Sequence, residues 1–237
     1  MWPTSFVGEP SDALIAESRE AEEDMVRLSG ELDLVVVGGG LVAEEGETFN
    51  RALVADHGRV AGEYRKIHLF TPNAEHRYHT PGRAPLIVDT SVGRLGVLIC
   101  YDIRFPELVR FYFYKNVEIL CVPSQWPEAR ADHWRVMLKA RAIENEMFVV
   151  GCNRTGNEAS MKTDDTLVFP GDSRIADPMG RIIADGSGES EPLCGELDMR
   201  KIRTMRRILP VAKDRRPELY RELWNTAWSN IEPSPTE

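Results

Sequence analysis

Short apolar runs rich in Val, Ile and Leu alternate along this chain with longer amphipathic segments, and no other feature constrains the fold as tightly. Strands are read at 32–37, 49–55, 60–64, 86–88, 95–99, 119–122 and 148–152, with shorter ones around Arg174 and Ile182. Helices are read at 11–29, 106–116, 132–146 and 218–228. This order predicts an α+β domain in which strands and helices interleave throughout.

Local chemistry supports these boundaries. Ser11-Asp12 opens the first helix as a capping signature. The run at 32–37 reads as a buried strand that Gly38-Gly39-Gly40 turns out of the sheet. Asp56-His57-Gly58-Arg59 predicts a hairpin between the next two strands, and Pro106 suits the first turn of a helix. At 237 residues the chain fits one large core, read as a domain over 1–220 followed by a tail at 221–237 whose Pro-Ser-Pro end is expected to be disordered.

Composition excludes several classes. Lys and Arg total 29 against 38 Asp and Glu, and a net charge of -9 repels phosphate backbones, so nucleic acid is not an expected partner. No stretch of 18 apolar residues is present, which argues against a membrane partner, and the start Met1-Trp2-Pro3-Thr4-Ser5 lacks the pattern of a secretory signal. Cys100, Cys121, Cys152 and Cys194 lie far apart with no CxxC pair, which fits a reducing cytoplasm. No phosphate-cradling glycine motif or clustered metal-ligand motif occurs, so neither a cofactor nor a metal is expected.

Two segments carry chemistry. In "RLGVLICYDIRFPELVR" Cys100 ends an apolar strand just before a helix start. There, backbone N–H groups and the positive helix end would favour a thiolate and hold an oxyanion. By itself the segment equally describes an inert core cysteine. In "GEYRKIHLF" Lys66 ends a strand among Ile67, Leu69 and Phe70, where an ammonium would be desolvated and aimed inward. Alone, it also describes a solvated strand-end lysine.

Together "YRKIHLF" and "CYDIRFPEL" resemble the lysine and nucleophile motifs of the nitrilase superfamily of carbon-nitrogen hydrolases. The likeness continues through "SQWPEARADHWRVMLKARAIENEMFVVGCNR" and "FPGDSRIADPMGRIIAD", which resemble the omega-amidase branch, including enzymes acting on 2-oxoglutaramate. True nitrilases put Trp-Glu after the nucleophile, whereas Tyr101-Asp102 follow Cys100, as in the amidases.

The resemblance implies an α-β-β-α sandwich of the nitrilase type, hydrolysis of a small-molecule amide through a cysteine thioester with ammonia release, and a homodimer or larger homo-oligomer. It implies catalytic roles for Cys100 as nucleophile, Lys66 as oxyanion partner and Glu75, in "TPNAEHRYHTPG", as the group that positions the lysine. Tyr101 and Trp126 are the expected substrate-binding residues, although Trp126 equally suits a packing aromatic. Arg104, Arg130 and Arg141 are each able to bind a substrate carboxylate, with surface pairing as the alternative. His133 is assigned no chemistry.

The family's general base is a glutamate in a Pro-Glu motif after the first strand. Met1-Trp2-Pro3-Thr4-Ser5-Phe6 resembles the residues that follow that motif, so the first strand, the first helix and the base are expected to precede this chain. Glu9 is the nearest acid downstream but does not match the motif. The alternative reading is therefore an inactive family member that serves as a binding or assembly subunit.

Overall fold

A computed structural model describes residues 9–159, 166–187 and 192–229. The segment resembling the sequence after the family base, Met1 to Phe6, and the terminal Pro-Ser-Pro stretch lie outside the described residues.

Helix α1 (Asp12–Glu31) is capped by Ser11, whose hydroxyl accepts from Leu14 N at 3.2 Å. Strands β1 (Val36–Glu44), β2 (Glu47–Asp56) and β3 (Arg59–Arg65) form a three-stranded antiparallel sheet. β2 shows why the sheet has helix on one side and sheet on the other. Ala52 and Val54 enter the main core, while Leu53 and Ala55 pack with Met25 of α1, the period of two expected of a strand.

The second sheet has the order β10-β9-β7-β6-β5-β4, with β8 paired to β9. Its members are β4 (Leu86–Thr90), β5 (Gly93–Val97), β6 (Ile119–Ser124), β7 (Phe148–Asn153), β8 (Thr155–Ala159), β9 (Thr166–Ala176) and β10 (Ile182–Ser187). Helices α2 (Pro106–Tyr114) and α3 (Ala131–Asn145) cover its outer face. α3 comes so close at Gly151 that a Cβ there would stand 2.6 Å from the Trp134 ring. The layers are thus helix, sheet, sheet, helix, as expected of an α+β sandwich. An arm of α4 (Arg200–Ile208), α5 (Val211–Asp214) and α6 (Pro217–Trp228) follows, and α6 continues through residue 220.

Three local readings differ from the sequence expectation. Gly38-Gly39-Gly40 does not end the first strand but continues it, paired with Leu53, Ala52 and Arg51. Gly40 serves close packing: a Cβ there would stand 3.1 Å from Ser18 Cβ of α1. Residues 32–35, read as strand, instead cap and leave α1, with Leu32 as its C-cap. β8, a polar strand, and α4, whose Ile202, Met205 and Ile208 recur at helical spacing among basic residues, were not read from the sequence. The predicted hairpin turn is present, with His57 and Gly58 both at positive φ (49° and 72°).

Among the described residues no helix is long and apolar enough to cross a membrane.

Candidate active site

Strands β5, β6 and β7 run parallel, so their C-terminal ends open on one edge of the sandwich. β5 leads through Leu98 and Ile99 into a 3-10 turn at Cys100–Arg104, with Cys100 itself in the left-handed region at φ 48°. β6 leads into Gln125 and Trp126, and β7 ends at Asn153. From the facing sheet, β3 delivers Lys66, whose N–H donates to Asn50 O at 2.9 Å.

Lys66 and Glu75 form a buried ion pair, with side chains 2% and 0% exposed. The ammonium donates to Oε1 at 2.9 Å and Oε2 at 2.6 Å. Asn50 Nδ2 donates to the same carboxylate at 2.9 Å, and Phe70 N does so at 2.5 Å. Two short 3-10 turns, Thr71–Asn73 and Glu75–Arg77, joined by Ala74 at φ 58°, fold Glu75 back over the lysine. Four hydrogen bonds to one carboxylate offset the desolvation of burying it.

The Cys100 thiol lies 3.6 Å from Gln125 O. Asn153 fixes the next residue: its Oδ1 accepts from Trp126 N at 2.6 Å while its Nδ2 donates to Trp126 O at 3.0 Å and Gly171 O at 2.5 Å. Burial pushes the thiol up from its ordinary value; the Lys66 ammonium pulls it down, while the Glu75 and Asp102 carboxylates push it further up. The sequence reading expected the positive end of the following helix to favour the thiolate. The 3-10 turn and Phe105 separate Cys100 from α2, and burial is the largest influence on the thiol.

Around it stand Tyr101, packed edge-on against Phe70 and Phe105, and two guanidinium groups. Arg104 lies 4.7 Å over the Trp126 ring and Arg130 5.6 Å over the Phe70 ring. Burial first, and then the Arg130 charge, holds Arg104 below its ordinary value. Among the described residues neither has a carboxylate partner; Arg104 meets His133 Nδ1 at 3.2 Å. Arg141 is instead committed, donating to Ile103 O at 3.0 Å and to Glu144 at 3.1 Å. Trp126 is 3% exposed, tilted against Trp134 and tied through Nε1 to Arg130 O at 2.7 Å, so it forms a floor beneath Arg104. Glu9 is exposed ahead of α1.

The structure therefore gathers Lys66, Glu75, Cys100, Tyr101 and Trp126 at one edge. The sequence reading missed Asn50, Asp102 and Asn153, each a buried polar residue within an apolar strand or turn. Such residues must find partners, and that was the available signal.

A family model described as carbon-nitrogen hydrolase matches residues 2–207. The 2-oxoglutaramate amidase of Bacillus subtilis (strain 168) is 34% identical over 223 residues, covering 93% of this chain and 84% of that protein. Among solved structures, a carbon-nitrogen hydrolase from Helicobacter pylori G27 superposes with a TM-score of 0.84 at 27% identity, covering 92% of this chain and 80% of that one. A mutant of the amidase from Nesterenkonia sp. AN1, with acrylamide added at its active-site cysteine, superposes with a TM-score of 0.74 at 26% identity, covering 90% and 78%. With the family model matched over residues 2–207 and the sandwich shared with solved members, the chain belongs to the carbon-nitrogen hydrolase family.

Proposed function

We propose that this protein is an omega-amidase-like enzyme that releases ammonia from a small amide carrying a carboxylate, such as 2-oxoglutaramate. The observation that carries the reading is the sealed Lys66–Glu75 pair, close enough to the Cys100 thiol to shift its proton affinity. The thiol sulfur attacks the amide carbon and its proton passes through a base to the leaving nitrogen. Ammonia departs as the C–N bond breaks and a thioester remains. Water then adds to the thioester, freeing the carboxylic acid and restoring the thiol. Lys66 faces the oxyanion of each tetrahedral intermediate, and Glu75 holds Lys66 in place. Arg104 and Arg130 supply an unpaired positive rim for the substrate carboxylate. Tyr101 and Trp126 shape the wall and floor.

Glu75 and Asp102 are fully engaged, so neither spares a lone pair for the thiol proton. The proton is therefore proposed to pass to a base other than these two carboxylates. That point also motivates the second reading, an inactive member that binds or assembles. Steady ammonia release from 2-oxoglutaramate by the purified chain, abolished in Cys100→Ala, supports the amidase and refutes the inactive reading; release that persists in Cys100→Ala refutes the mechanism.

A homo-oligomer is proposed as well, supported by Ile208, Leu209, Leu223 and Trp224, which stay exposed on the C-terminal arm. Light scattering at the mass of a single chain would refute it.

A further inference from the structure

The carboxylate of Asp102 is completely buried and lies two residues past Cys100, yet it faces the lysine strand. Its Oδ2 accepts from Ile99 N at 3.0 Å and from the Tyr64 hydroxyl at 2.8 Å. Its Oδ1 accepts from His68 N at 2.9 Å and meets His68 Nδ1 at 2.8 Å. A carboxylate only accepts, so Nδ1 carries the ring proton. Burial and the Asp102 charge hold Tyr64 well above the usual phenol range, which keeps its hydroxyl a donor. That oxygen also accepts from Ile67 N at 3.3 Å.

Residues 64 and 68 bracket Lys66, and Ile99 abuts Cys100. One side chain thus ties both flanks of the lysine to the turn that carries the thiol. The His68 ring lies flat on Phe105, 3.5 Å between centroids and 7° from parallel, which fixes its orientation from the other side of the same turn. We propose that Asp102 and His68 are positioning residues that set the approach of the Lys66 ammonium to the Cys100 thiol. This rests on the reading of Cys100 and Lys66 as the reacting pair.

The arrangement carries an electrostatic cost that makes the role separable from mere charge. The Asp102 carboxylate makes the thiol harder to ionise, so a group needed only for charge would be better absent. Its retention with four donors points to geometry. The groups facing the thiol are Lys66, Glu75, Asp102 and Arg104, and His68→Phe alters the chemistry of none of them while keeping an aromatic ring on Phe105 and removing the Nδ1 donor.

The test is alkylation of Cys100 by iodoacetamide across pH, followed by mass spectrometry of its own peptide. This readout needs no amide turnover and so stands apart from the amidase reading. In His68→Phe the lysine is held less closely, and the midpoint of Cys100 reactivity is expected to rise by about half a pH unit or more. Where turnover is present, kcat is expected to fall about tenfold to a hundredfold with KM nearly unchanged. His68→Asn, whose amide restores a donor, is expected to recover both toward the native values. Tyr64→Phe, which removes a different donor to the same carboxylate, should move the midpoint in the same direction. A native midpoint in both His68→Phe and Tyr64→Phe overturns the proposal, as does a His68→Asn protein no better than His68→Phe.

Discussion

The edge of the sandwich that holds Cys100 and the C-terminal arm solve the problem of burying charge in opposite ways. At the edge, the Glu75 and Asp102 carboxylates are each saturated by donors from several elements. Against the arm, Glu146 is 1% exposed at the C-cap of α3, and among the described residues neither carboxylate oxygen has a hydrogen-bond partner, nor does the buried Arg206 Nε of α4. The arm is held by Ile202 in the core, by Lys201 to Asp177 at 2.8 Å and by Arg215 stacked 3.7 Å over Tyr114. Saturation fixes one geometry, as chemistry on a defined atom requires, whereas sparse anchoring tolerates displacement.

The contrast breaks most visibly at Lys66. Lys66→Met leaves the Glu75 carboxylate buried without its counter-ion, and a loss of about 3–5 kcal/mol in denaturant unfolding is expected together with loss of ammonia release. A Lys66→Met/Glu75→Leu double variant is expected to regain most of that stability and none of the activity. Recovery of activity in the double variant would remove Lys66 from the chemistry.

A smaller effect is expected at the rim, where the guanidinium groups have no carboxylate partner. Arg104→Ala should raise KM for a carboxylate-bearing amide about tenfold or more, as for loss of a charge-assisted hydrogen bond, and leave a neutral amide of the same length nearly unaffected. Equal effects on both amides would deny Arg104 a part in recognition.

The smallest effect belongs to the arm and reads as a slope. Burial raises the Glu146 carboxyl above its ordinary value, against the pull of Arg206 and Arg110. The folded state thus holds this proton more tightly than the unfolded chain. Its contribution is complete below the unfolded value, about 4.3, and is lost as pH rises through the folded value. Glu146→Gln stays neutral throughout, so its melting temperature should gain on the native protein's as pH rises through that window. Parallel curves would show that Glu146 is already solvated.

Much of this was readable before any coordinates. Cys100 at a strand end, Lys66 at another and the hairpin at His57-Gly58 follow from local pattern, because strand periodicity and turn chemistry are short-range. The continuation of β1 through three glycines was not, since it depends on pairing with β2 and, at Gly40, on the close approach of Ser18 from α1. Nor was the direction of the Cys100 shift. Position at a strand end suggests activation, but burial is a property of all the layers at once. The choice among three arginines was partly long-range: Arg141 pairs with Glu144 one helical turn away, but its bond to Ile103 O comes from a distant part of the chain.

Cys100 sits at φ 48°, a conformation that costs a residue with a Cβ about 1 kcal/mol and glycine almost nothing. Alanine at this position would inherit the unfavourable backbone, while glycine would shed it. Inactivation and robustness therefore point the same way at residue 100, and a lineage released from selection for turnover would meet no stability barrier to losing its thiol.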